Sequence, residues 1–368
     1  MKKVLLLSIM LLVFLLVGCK ESSQINEELP IDDNTSITVT YYVDGNEWKN
    51  QVYDIGEEIE FPELINDFIC IEWSIHETYA PEYDISIYGE SYTYFGKYPQ
   101  SHVSDKNLIA KLNSVSTTNE NGYYVYDGKE YACVFADLYS GFVNNTWKEK
   151  ATFSDGTIIE NGEKYWFNVE PIKWRIIYND DGTYLLFSKY ILDSQKFYRD
   201  LNNRPNRSIK HNDYEYSDIR AWINDTFYNA AFNNDDKNRV LTSKVDNSAS
   251  TTEIDLNPYY CSNTNDKVFL LSYQDVGNEE YHFYFRQKTD NSTRTAEVTD
   301  YAIAKGAFYA VYSAENRNGN YWLRSPDFEY TFKTIYVNSN GYAGYKYDVD
   351  KLGIGVRPAI RVDFKENN

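Results

Sequence analysis

The stretch "KWRIIYNDDGTYLLFSKY" (residues 173–190) constrains the architecture more than any other part of the chain. β-Branched and aromatic residues alternate with polar ones on both sides of Asp181-Gly182, a dipeptide suited to the positive torsions of a two-residue hairpin turn. Two such strands bury one face, so they are expected near the centre of a sheet-built domain. The same signature opens the chain after residue 35, where "ITVTYYV" runs into Asp44-Gly45 and then "EWKNQVYDIG". Shorter extended runs follow at "EIEFPE", "FICIEWSI" and "YFGKYPQS", and late ones at "DKVFLLS", "YWLRSP", "FKTIYVNSNGYAGYKYDV" and "GVRPAIRVDF". Helices are few. "SDKNLIAKLNSV" reads as a short one capped by Ser104, and "SDIRAWINDTFYNAAF" as a longer one capped by Ser217. In the longer helix Ile219, Trp222, Ile223, Phe227, Ala230 and Ala231 fall on one face. Residues 247–265 and 277–297 read as loops. The fold class is α+β, a small β-rich module followed by a larger α+β domain.

The first residues specify a location. Lys2 and Lys3 precede an apolar run from Val4 to Val17 broken only by Ser8. A helix of that length rises about 21 Å, short of the ~30 Å hydrocarbon core, so residues 1–18 are expected to be a signal peptide and not a membrane span. Leu16-Val17-Gly18-Cys19 resembles the bacterial lipobox, which implies cleavage before Cys19, acylation of its thiol and attachment to a membrane by lipid. Residues 19–35, polar and acidic, are expected to form a flexible tether. Loss of residues 1–18 removes two lysines and no acids, moving the formal charge from −19 to −21. So acidic a surface argues against nucleic acid as a partner. After lipidation only Cys70, Cys133 and Cys261 remain, with neither a disulfide framework nor a metal spacing.

Two resemblances organise the rest. Residues 36–88 resemble the Listeria–Bacteroides (internalin B-type) repeat through "VTYYVDG", "YDIGEEIEFPE" and Trp73 in "IEWS", although Ile71-Glu72 stand where that family usually carries glycine or Lys-Gly. The resemblance implies a β-grasp-like module of cell-surface proteins, a spacer or adhesive unit. For residues 90–366, the ordered set "FGKYPQ", "IKWRII", "LLFSKYILD", "SDIRAWIN", "DKVFLLS", "YWLRSP", "GVRPAI" resembles an uncharacterised domain of bacterial surface proteins. More distantly, the terminal pair is similar to the ending of the formylglycine-generating-enzyme branch of the C-type-lectin-like fold. The oxidising chemistry of that branch is not implied, because Cys133 and Cys261 lie outside the arginine motifs. Neither of the calcium-binding triplets of sugar-binding lectins, Glu-Pro-Asn and Gln-Pro-Asp, occurs.

Enzyme signatures such as His-Glu-x-x-His, Gly-x-Ser-x-Gly and the P-loop are missing, and the four histidines fall in apparent loops. No catalytic residue, cofactor or metal ligand is assigned, and a non-enzymatic role is favoured over a carboxylate-based hydrolase of envelope polymers or a plain spacer. Tyrosine supplies 36 residues, which fits either a biased composition or a binding surface. For the latter, Tyr259, Tyr260, Tyr281, Tyr284, Tyr342 and Tyr345 fall in probable loops or edge strands, where aromatic rings could meet a glycan or a protein partner. Arg324 and Arg357, set among apolar neighbours in the two terminal motifs, are expected to be structural and paired with carboxylates.

Overall fold

The computed structural model describes residues 36–44, 46–54, 61, 64–66, 69–76, 84–144, 149–202, 206, 208–311 and 317–364. The expected signal peptide, the tether and Cys19 lie outside these residues, as does most of "YDIGEEIEFPE". The chain divides into two compact units, 1–92 and 93–368. Among the described residues strands dominate both units, and the helices are few and short.

In the first unit β1 (Ser36–Val43) pairs antiparallel with β2 (Asn46–Asp54). β3 (Leu64–Asn66) pairs with β4 (Ile69–His76), and β4 pairs antiparallel with the first part of β5 (Asp84–His102). β5 returns parallel to β1, from Thr38 opposite Asp84 to Val43 opposite Gly89. Alternation puts Val39 and Tyr41 on one face of β1, where they close a core with Tyr53, Phe61 and Trp73. The Tyr41 and Tyr53 hydroxyls satisfy each other at 2.6 Å, so two buried phenols cost no orphaned polar group.

The second unit is built on the central hairpin. Its early strands are β6 (Tyr124–Tyr126), β7 (Lys129–Phe135), β8 (Lys164–Asp180), β9 (Thr183–Ser188) and β10 (Asp193–Ser194). The later ones are β11 (Ser243–Val245), β12 (Thr264–Asp266), β13 (Val268–Phe269), β14 (Tyr321–Pro326) and β15 (Lys333–Val337). β16 (Ala343–Asp348), β17 (Gly355–Val356) and β18 (Ala359–Asp363) complete the set. Asp181 and Gly182 both take positive φ, 45° and 84°, as a tight hairpin turn demands. β8 pairs with β7 along its first half and with β9 along its second, and β18 and β13 extend the sheet beyond β9. A second sheet runs in the order β10-β17-β14-β15-β16. Trp174, Leu186, Phe187, Ile360 and Val362 are fully buried around the central strands.

The longer helix begins where expected, with the Ser217 side chain accepting from Arg220 N. It widens to a π-helical turn at Ile223–Phe227. The cause is Asn224, whose amide bonds outward to the backbone of Lys267 and Val268 as well as to Arg220 O. The short helix Lys106–Leu112 is capped by Asp105 and not by Ser104. The Asp105 carboxylate accepts from Asn107 N at 2.8 Å and from Leu108 N at 3.3 Å. His211 and His282 lie in turns as expected, but the other two histidines do not. His76 ends β4, and His102 ends β5 with its ring stacked 4.3 Å from that of Phe153.

Candidate functional site

The site grows from the register of the second sheet. Trp322 of β14 lies opposite Tyr336 of β15, and Tyr336 lies opposite Tyr345 of β16, so three aromatic side chains form one transverse row on a single face. β16 is the edge strand, and exposure rises along the row from 1% at Trp322 to 49% at Tyr345. The Tyr336 and Tyr345 rings stack at 5.9 Å and 26°. Tyr347, two residues along the same face, meets Tyr336 edge-on at 6.2 Å and Trp322 at 6.1 Å. Tyr342 closes the outer end, its ring 4.8 Å from that of Tyr345.

The turn that delivers Tyr342 is tightly specified. Asn338 accepts from Tyr342 N through its side chain and from Gly341 N through its carbonyl. Gly341 has φ 81°, and a Cβ there would stand 2.0 Å from Asn291 O, so only glycine fits. Behind the turn is Arg294, fully buried, whose Nε donates to Gly341 O at 2.6 Å. Its remaining nitrogens donate to the carbonyls of Val276, Tyr284, Arg286, Gln287 and Thr289. One guanidinium therefore ties the loop 276–294 to the turn that presents the edge tyrosines. Burial pushes the Arg294 guanidinium below its ordinary pKa and pushes the Tyr336 phenol up to about 12. The Tyr336 hydroxyl thus stays a neutral donor and acceptor across the physiological range.

Of the six tyrosines read from the sequence, the structure brings Tyr342 and Tyr345 together. Tyr281 lies half-buried with its ring 5.7 Å from Tyr178. Tyr284 packs on Phe285 at 4.9 Å, and its carbonyl serves Arg294. Tyr259 is half-buried and Tyr260 is 57% exposed on a separate loop. Tyr336, Tyr347 and Trp322 join Tyr342 and Tyr345, and the sequence signal for Tyr347 is Tyr345-x-Tyr347 in a predicted strand, whose period of two places both on one face.

The two motif arginines differ. Arg324 donates to Asp275 Oδ2 at 2.6 Å and to the carbonyls of Leu270 and Asp246, as a paired structural arginine does. Arg357 donates to the carbonyls of Ser188, Arg294 and Thr295 and lies over the faces of Phe187 and Tyr321, with centroids at 4.0 and 5.1 Å.

Ser154, His102 and two aspartates lie near one another without forming a relay. Ser154 Oγ donates to Asp300 Oδ2 at 2.6 Å, whereas His102 Nδ1 lies 2.9 Å from Asp155 Oδ2, so serine and histidine serve different carboxylates. Asp300 also takes Arg317 at 2.7 Å and the amides of His102 and Ser154. Buried Asp193 accepts from Tyr98, Ser194 N and Gln195, and burial raises its carboxyl above the usual range. Among the described residues no cluster of three or more histidine, cysteine or acidic side chains is placed to hold a metal, and Cys70, Cys133 and Cys261 are free thiols.

A family model described as a domain of unknown function, DUF6273, matches residues 181–364, half of the chain. The chain belongs to this family. No curated protein and no solved structure matches it. The DUF6273 segment contains the whole aromatic row together with Arg294, Arg324 and Arg357. It begins within the β8–β9 turn, so β8, which pairs with β9 and carries Trp174, lies just outside it.

Proposed function

We propose that this chain is a lipid-anchored cell-envelope protein whose DUF6273 segment binds glycan without catalysis. The observation that carries the proposal is the row Trp322–Tyr336–Tyr345 with Tyr342 at its open end. Rings held by a sheet lose little freedom on binding, and their faces match the apolar faces of sugar rings, while neutral phenols bond to hydroxyls. A formal charge of −19 favours a neutral or basic ligand over an anionic one. For the first unit a β-grasp-like spacer is proposed, supported by the hairpin β1–β2 and the parallel return of β5 beside β1. For the second unit a distant C-type-lectin-like relationship is proposed, supported by the parallel pairing of the two motif strands, Tyr321 opposite Gly355.

A glycan array and a pull-down on cell-envelope material with the purified chain test the binding role. Retention by the wild type is expected to fall at least about tenfold in Tyr345→Ala, the loss of roughly one good stacking contact. The thermal midpoint is expected to stay within a few degrees, because Tyr345 is half-exposed. Equal retention by variant and wild type would remove the aromatic row from the account. The anchor is tested separately. Cys19→Ala is expected to move the protein from the membrane fraction to the soluble fraction, and persistent membrane association would refute lipidation at that position.

A further inference from the structure

The opposite face of the second sheet holds a lysine between two buried carboxylates. Lys346 Nζ is 3.1 Å from Asp327 Oδ1 and 3.6 Å from Glu253 Oε2. The Asp327 side chain is fully buried and that of Glu253 is 6% exposed. The ammonium sits over the Phe328 ring at 4.1 Å, and Lys288 caps the outer oxygen of Glu253. Among the described residues neither Asp327 Oδ2 nor Glu253 Oε2 has a hydrogen-bond partner. An ion pair here is poorly solvated, with two carboxylate oxygens unsatisfied.

We infer that Lys346 and Asp327 join in an intramolecular amide bond, with Glu253 as the proton carrier, clamping the residue that follows β14 to β16. The reaction balances without an external reagent. Glu253 takes a proton from the Lys346 ammonium, and the freed amine adds to Asp327 Cγ. The C–N bond forms, one C–O bond breaks, and the departing oxygen leaves as water with both protons taken from nitrogen, one of them delivered through Glu253. The Lys346 amine is held in contact with the Asp327 carboxyl, 3.1 Å from Oδ1, and this fixed neighbourhood replaces the entropy a bimolecular condensation would lose. The product removes two buried charges. The arrangement is independent of the glycan face, so failure of one leaves the other standing.

Tryptic mapping of the purified full chain decides the matter. Trypsin cuts after Arg324, Lys333, Lys346 and Lys351. An amide at Lys346 blocks the third cut and joins peptide 325–333 to peptide 334–351, with a combined mass lower by one water. The joined peptide is expected as the main product from wild type. It is expected to be absent from Glu253→Gln, whose fold is checked by its aromatic circular dichroism. Free peptides 325–333 and 334–346 as the main products from folded wild type would overturn the cross-link. A joined peptide from Glu253→Gln would overturn the role given to Glu253. Because the wild-type map alone decides the bond, a variant that fails to fold does not spoil the test.

Discussion

Arg294→Ala is expected to abolish the folded second unit, or to lower its stability by at least about 4 kcal/mol, in urea denaturation followed by aromatic circular dichroism. The fully buried guanidinium donates to six carbonyls from residues 276 to 341. Each buried acceptor left without a donor costs about 1–3 kcal/mol, against a total stability of about 5–15 kcal/mol for a typical domain. Arg294→Lys is expected to recover little, since one ammonium has three donors where the guanidinium has five in a fixed fork. Tyr321 and Arg357 both donate to the Arg294 carbonyl, so both arginine motifs rest on the backbone segment that this side chain holds in place. If Arg294→Ala unfolded at the wild-type urea midpoint, these carbonyls would have to be satisfied by water in the native state, and the loop 276–294 would not depend on this side chain.

This arginine shows why part of the molecule is legible in the sequence and part is not. The hairpin at Asp181-Gly182 and the Ser217 cap are local, because torsion preference and side-chain reach decide them within a few residues. The cap at Lys106–Leu112 is Asp105 and not Ser104, because both suit the role and only the backbone path decides which carries it. The two arginine motifs announced burial through their apolar neighbours. What compensates a buried guanidinium is decided by tertiary contact: Arg324 meets the Asp275 carboxylate, and Arg357 meets the Ser188 carbonyl and the Phe187 ring face. Arg294, in "NSTRTAE", has no apolar context to mark it as core. The aromatic row was half legible. Tyr342 and Tyr345 stood out as edge tyrosines, but the register that adds Tyr336 and Trp322 pairs residues on three strands and has no local signature.

Asp275→Ala is expected to cost about 3–5 kcal/mol, because it leaves Arg324 buried beside carbonyls alone. Arg324 is 6% exposed and Asp275 is 23% exposed, so solvent reaches the pair only from the aspartate side. Burial pushes the Asp275 carboxyl up, but Arg324 and the bonds from Ser272 pull it down further, leaving it below the usual carboxylate range. A depressed folded pKa makes the contribution complete above the unfolded value of about 4 and removes it as pH falls through the folded value. The gap in stability between wild type and Asp275→Ala is therefore expected to be constant from neutral pH down to about 4 and to narrow below it. A gap that narrowed near neutral pH instead would mean that the Asp275 carboxyl is raised, and that Arg324 is held by the Leu270 and Asp246 carbonyls more than by the charge. The same experiment separates structure from chemistry at "YWLRSP". If Arg324 belonged to an active cleft, removing its partner would change a ligand response and leave the unfolding midpoint in place. A buried brace gives the reverse, a lowered midpoint with glycan retention per folded molecule unchanged, since the Asp275 carboxylate serves Arg324 and Ser272 N.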